Sequence, residues 1–337
     1  MSNFRKLEQR IRAAERRVAH TYGLTITETM LRLVDPSVQV RVLTAGKGEP
    51  LIHINGISAP AMGMAPLIAG LPGFRHILID LPGHSLAPPY SWHGRTVREL
   101  AVDVVTGTLD ALEIAQASFV GSSLGGLFTL WTTLDAPGRV SRAAIVATPA
   151  TALPGSRGIA EFESLTSPIR GRLDQSLMRL PSPRFIARFA LTEALGANAA
   201  RAMSDDMLDL HRLPLRLPGQ AAAYRALLRR LMHGRTPRPE NVLTEDELAR
   251  IDTPTLFVWG AEDVFSSPDQ ARPSVAKIPD AHLTVVPGGH APWFDDASRC
   301  AAPVRDFLRH QHIDNAVERF YTPGETVEST ASDPRTA

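Results

Sequence analysis

"FVGSSLGGLF" occupies Phe119–Phe128, and its reading decides the rest of the chain. An apolar run leads into it and another leaves it, so the glycine–serine cluster lies where a strand would give way to a helix. Gly121, Ser122, Ser123, Leu124 and Gly125 fit the pattern G-x-S-x-G with Ser123 at its centre. A sharp strand-to-helix turn holds its middle residue in a strained backbone conformation. Bulky side chains two positions to either side would collide, which is why glycine flanks it. The turn lifts the serine oxygen clear of the sheet at the positive end of the next helix. It also aims the Leu124 N–H at the same point. A flexible joint is the plainer alternative, and choosing between the two needs a base and an acid elsewhere.

The flanking text supplies the sheet. "VQVRVLTAG" (Val38–Gly46) alternates with period two, as a half-exposed strand does. "PLIHING" (Pro50–Gly56), "HILIDLPG" (His76–Gly83), "ASFVGSS" (Ala117–Ser123), "RAAIVATP" (Arg142–Pro149), "PTLFVWG" (Pro254–Gly260) and "HLTVVPGG" (His282–Gly289) are nearly all apolar. Such runs belong to strands covered on both faces of a parallel sheet. "TVRELAVDVVTGTLDALEI" (Thr96–Ile114) opens with a capping box and reads as a helix. The expected fold is α/β: a mostly parallel central sheet with helices on both faces and an inserted helical segment.

Domain limits follow. Residues 1–30 read as a helical extension, with Leu7, Ile11, Ala14 and Val18 on one face and solvated arginines on the other. Residues 31–150 and 251–320 form the core. In 151–250 no strand pattern is convincing, and the helical text is broken by "LPSPR" and "GRTPRPEN". Its apolar residues Leu177, Met178, Phe185, Phe189, Leu191, Met203, Met207, Leu208 and Leu210 are expected mainly in the insertion's own core and docking face, with a pocket wall as the alternative. Residues 321–337 read as a disordered tail.

A serine hydroxyl needs a base to take its proton. His290 in "VVPGGHAPWFDD" follows the last apolar strand, with Gly288 and Gly289 giving its loop freedom to reach inward. The imidazole needs an acid to fix its tautomer. Asp263 in "LFVWGAEDVFSSP" follows the penultimate strand; its neighbour Glu262 reads as a solvated loop acid. Ser123, Asp263 and His290 all fall just past the carboxyl ends of strands, where the loops of a parallel sheet converge. An oxyanion hole needs two N–H donors: Leu124 gives one, and Ile57, or next Ser58, the other. Asn55, Ser58, Ser122 and Trp293 are carried as substrate contacts, with packing as the alternative for Ser122 and Trp293.

These residues resemble the α/β-hydrolase superfamily over roughly 38–148 and 254–308, with "DLPGHSLAPP" (Asp80–Pro89) in the usual place after a strand. The resemblance implies a nucleophile elbow at Ser123, an acid at Asp263, a base at His290 and a cap over 151–250. One departure is Asn55-Gly56 where the family often carries His-Gly, with His53 two positions upstream.

Composition bounds the partners. Basic and acidic residues balance at 36 and 35, so the arginines signal no nucleic-acid partner. No apolar run approaches the ~20 residues of a membrane span, and the charged N-terminus lacks a secretion signal, so a cytoplasmic protein without a membrane partner is expected. The single cysteine, Cys300, excludes an internal disulfide. Two-histidine metal spacing and nucleotide loops are absent, so neither metal nor cofactor is expected. The leading expectation is a serine hydrolase, monomer or homodimer, cleaving a carboxylic ester, lactone or thioester of a medium-sized, mostly apolar molecule. A carbon–carbon bond hydrolase of a β-diketone or ring-fission product would use the same residues. A non-catalytic small-ligand receptor is the third reading.

Overall fold

A computed structural model describes residues 3–309, apart from Pro36 and His93. The tail expected from residue 321 lies outside the described residues.

The large sheet has eight strands: β1 (Ile26–Leu33), β2 (Val38–Gly46), β3 (Glu49–Ile54), β4 (Phe74–Asp80), β5 (Ala117–Ser122), β6 (Val140–Val146), β9 (Thr255–Gly260) and β10 (Ala281–Val286). Their spatial order is β1-β2-β4-β3-β5-β6-β9-β10. β2 runs antiparallel to both β1 and β4, and every other pairing is parallel. The α/β class with a mostly parallel sheet is therefore observed. Burial on both faces explains the apolar runs of β3 to β6 and β9; β10, expected to be covered in the same way, lies at the sheet edge and is mostly half-buried. One core cluster packs Ile52, Phe119 and Phe257 against Val104, Leu127 and Trp131 of the helices Val97–Ala111 and Leu124–Asp135. The other packs Leu51, Val120 and Val258 against Ile11 and Val304 of the helices Asn3–Thr21 and Ala297–Leu308.

Two details differ from the sequence reading. The N-terminal extension is helical only over Asn3–Thr21; β1 follows at Ile26 and joins the sheet edge. Within 151–250 a two-residue pair, β7 (Met232–His233) and β8 (Thr236–Pro237), makes a small antiparallel hairpin among helices.

The N-terminal helix buries Leu7, Ile11, Ala14 and Val18, the expected face. It also buries Glu15, which takes a two-pronged contact from the fully buried Arg41 (Nη1–Oε1 2.8 Å, Nη2–Oε2 2.7 Å). Arg41 Nη1 also donates to Asp80 Oδ2 at 2.6 Å, and Asp80 Oδ1 accepts the Ala61 N–H at 2.8 Å. A guanidinium this deep is tolerable only with its donors matched by carboxylates. The network joins the added helix, through β2 and β4, to the loop after β3.

Candidate active site

The elbow forms as its sequence dictates. Ser123 sits between β5 and the helix Leu124–Asp135 with φ 51° and ψ −115°, a conformation that costs a non-glycine residue about 1–3 kcal/mol. The flanking glycines make it possible. A β-carbon on Gly121 would lie 2.5 Å from Gly125 O, and one on Gly125 would lie 1.9 Å from Ile54 O. Leu124 is the first residue of the helix, where N–H groups have no partner within the helix.

Asp263 and His290 meet. The Nδ1 of His290 lies 2.8 Å from Asp263 Oδ2 and 3.0 Å from Oδ1. A carboxylate only accepts, so Nδ1 carries a proton and donates it to Asp263. Asp263 also accepts the N–H of Thr148 at 2.9 Å and of Phe265 at 3.0 Å. Burial pushes its carboxyl up, but His290 and the two N–H groups outweigh that and hold it below the ordinary carboxylate range. The Phe265 ring lies against the imidazole, centroids 4.3 Å apart and planes tilted by 54°. Glu262 is exposed, so of the two adjacent acids Asp263 faces the histidine.

Ser123 and His290 front one cavity of about 710 Å³. Among the described residues no hydrogen bond joins the serine hydroxyl to the imidazole; such bonds often close only once substrate is seated. The loop after β3 lies against the serine: a β-carbon on Gly56 would stand 3.7 Å from Ser123 Oγ. Ile57 and Ser58 continue that wall. Asn55 works inside the loop, its Oδ1 accepting the Gly56 N–H and its Nδ2 donating to Pro60 O, both at 2.7 Å. Both ends of its amide are thus engaged by the loop's own backbone. Ser122 is buried beside the elbow and borders the cavity. Trp293 both packs and lines, since its Nε1 donates to Gly63 O at 2.9 Å.

The rest of the wall comes mainly from the helices between β6 and β9, the alternative left open for their apolar residues: Leu177, Met178, Phe189 and Leu191 line the cavity, whereas the polar residues there carry no signal in the sequence. Glu161, Asp174, Glu193, His211, Arg212 and Tyr224 all border the cavity. Burial pushes the Glu161 carboxyl up, and neighbouring Glu193 and Asp174 push it further, against the Tyr224 hydroxyl that donates to it at 3.0 Å. Burial pushes His211 down to about 4, so it is neutral. Arg212 is held by Asp209 and by Ser182 O. Of the insertion's nine singled-out apolar residues, Met203, Met207, Leu208 and Leu210 are buried as expected. Leu177, Phe185 and Phe189 are exposed instead. Thr148 stands just past β6, so its sequence signal is the same strand-end position that marks Asp263. Among the described residues no three His, Cys, Asp or Glu side chains gather as a metal-holding group.

Known proteins share this fold. The family described as having the alpha/beta hydrolase fold matches residues 50–297. A 2-hydroxy-6-oxononadienedioate/2-hydroxy-6-oxononatrienedioate hydrolase of Paraburkholderia xenovorans is 28% identical over 82% of this chain and 92% of its own. A pimeloyl-[acyl-carrier protein] methyl ester esterase of Stenotrophomonas maltophilia is 30% identical over 78% of this chain and 94% of its own. In structure, naproxen esterase of Bacillus subtilis superimposes with a TM-score of 0.66 at 18% identity, covering 91% of this chain and 99% of that one, a likeness of fold alone.

Proposed function

This chain belongs to the α/β-hydrolase family, and on that premise we propose that it hydrolyses a neutral, mostly apolar carboxylic ester, lactone or thioester through an acyl-enzyme on Ser123. The observation that carries the reading is the His290–Asp263 pair, 2.8 Å apart, opening onto the same cavity as a serine strained at an elbow. Ser123 Oγ attacks the acyl carbon and its proton passes to His290 Nε2. Asp263, held ionised by its N–H donors, steadies the imidazolium. The N–H groups of Leu124 and Ile57 receive the oxyanion, each worth about 3–4 kcal/mol. His290 then protonates the leaving group, and water, activated by the same imidazole, releases the acid. Residues 151–250 serve as the cap that closes the cavity from above.

A second reading, carbon–carbon bond hydrolysis, is favoured by the P. xenovorans relative, which acts on a dicarboxylate. The cavity weighs against a dianion. Three carboxyl groups border it, and Arg212 is already matched by Asp209. A doubly charged ring-fission product would meet like charge, with no unpaired Lys or Arg among the described residues that line the cavity to hold it. The test is a panel of p-nitrophenyl esters of increasing chain length beside a 2-hydroxy-6-oxo-dienoate, with a fluorophosphonate probe for the nucleophile. Ester turnover with labelling lost in Ser123→Ala is expected. Faster cleavage of the dienoate, or no labelling of the wild type, would displace the ester reading.

A further inference from the structure

Seven of the eleven large apolar side chains that stand exposed among the described residues fall within 169–189. Ile169, Leu173, Leu177 and Leu180 follow helical spacing along and beside the helix Arg170–Met178, and Phe185, Ile186 and Phe189 do so on the helix Arg184–Leu195. The second of these helices has no buried residue at all. Isolated exposed apolar residues need no explanation, but a contiguous set of this size marks an interaction surface. It also surrounds the way in, because Leu177, Ile186 and Phe189 border the cavity that holds Ser123.

Charge identifies the partner. Within 169–189 the chain carries Arg170, Arg172, Arg179, Arg184 and Arg188 against one acid, Asp174. Asp174 borders the cavity and accepts a hydrogen bond from Ser164. Arg184 is matched by Asp205 and Asp209, and Arg188 donates to backbone carbonyls. Arg170, Arg172 and Arg179 are exposed and make no ion pair among the described residues. Apolar stripes flanked by arginines are the chemistry of an anionic lipid surface, where phosphates take the guanidinium groups and the acyl boundary takes the leucines and phenylalanines. A second copy is a poorer match, since apposing two such faces would bring like charges together and block both cavities.

We infer that the face formed by residues 169–189 docks on an anionic lipid surface with the cavity mouth turned toward it. Combined with the ester-hydrolase reading, on which this clause rests, an ester dissolved in the lipid would reach Ser123 without crossing water. No membrane span is involved, and among the described residues no helix is long and apolar enough for one.

The test is co-sedimentation of the full chain with phosphatidylcholine vesicles, with and without phosphatidylglycerol. Wild type should pellet with the anionic vesicles and be released by salt. The variant Leu173→Ser/Leu180→Ser/Phe185→Ser, which leaves the cavity lining intact, should lose at least about tenfold in partition. Its turnover of a short soluble ester should be unchanged. Arg172→Ala and Arg179→Ala should each cost about fivefold. Ser123→Ala should pellet like wild type, so docking and hydrolysis fail separately. Wild type remaining in the supernatant, equal binding to neutral vesicles, or full binding by the triple serine variant would overturn the inference. So would a concentration-dependent dimer abolished by that same variant, which would assign the face to a second copy.

Discussion

The sheet and the helical insertion handle apolar residues in opposite ways. Phe119 on β5 is wholly buried, between Ile52 on β3 and Ala143 on β6 and against the helices of the same core cluster. Phe189 in the insertion is 79% exposed. Both are phenylalanines in apolar text, yet one holds the fold together and the other borders an opening. Ser123, Asp263 and His290 all stand at strand ends of the sheet, and in the proposed reaction a displacement of about 1 Å there is costly. The helices between β6 and β9 supply part of the cavity wall and its exposed rim. On the proposed reading, chemistry rests on the sheet and substrate selection on that rim.

The largest effects should appear where the sheet holds the chemistry. Ser123→Ala should lower kcat at least 10³-fold, to about the residual rate of binding and oxyanion stabilisation. Asp263→Asn should lower it about 10⁴-fold with KM little changed, because an amide presents the wrong partner to Nδ1. Ser123→Gly should be equally inactive and more stable by about 1 kcal/mol, since glycine accepts φ 51° freely. Steady-state kinetics and urea unfolding read these together. A Ser123→Ala variant that retained turnover would break the comparison outright. Next in size, Phe119→Ala should cost about 3–5 kcal/mol of stability, measured as a lower urea midpoint. A cost under 1 kcal/mol would mean that the sheet is no better packed than the insertion.

Legibility in the sequence follows the same division. Strands covered on both faces must be apolar throughout, so β3 to β6 and β9 stand out; β10 is a half-buried edge strand that reads as one only because its text "HLTVV" (His282–Val286) is largely apolar all the same, and with these strands come the loop positions of Ser123, Asp263 and His290. β1 does not stand out, because "ITETMLRL" (Ile26–Leu33) is an edge strand whose side chains are nearly all exposed or half-exposed, leaving no pattern to read. The hairpin β7–β8 offers two residues per strand, too few for a period. The wall residues Glu161, His211 and Tyr224 come from three separate helices of the insertion, and only packing brings them to one cavity. Leu177, Phe185 and Phe189 look like core in the sequence because hydrophobicity does not say what, if anything, covers a side chain.

A pH titration sharpens the contrast from the sheet side. His53 Nε2 lies 3.0 Å from His76 Nδ1 in the core between β3 and β4. Burial pushes both imidazoles down, His76 to about 4 and His53 well below its ordinary value, with His76 adding to the effect on His53. Above the ordinary value near 6.5 neither folded nor unfolded chain is protonated there. As pH falls below it, the unfolded chain takes protons that the folded chain refuses, so stability is lost, the His76 share of that loss ending near pH 4. His76 alone should account for up to ~3 kcal/mol over that window. Urea midpoints measured from pH 7 to 4 should fall in wild type and fall less in His53→Leu/His76→Leu. Parallel curves would place the acid sensitivity elsewhere.

The smallest effect tests the rim. Phe189→Ala removes a ring that is mostly in water, so no cavity forms and little transfer energy is lost. Stability should change by less than about 0.5 kcal/mol, as for an ordinary surface substitution. The same ring borders the cavity, so contact with a long acyl chain should weaken. KM for long-chain esters should rise several-fold, while a short ester, which does not reach the rim, keeps its KM and its kcat. Loss of uniform binding has this signature, since it raises KM without touching kcat. A fall in kcat for the short ester would mean that Phe189 props the Asp263–His290 pair from a distance. The assignment of chemistry to the sheet and selection to the rim would then have to be redrawn.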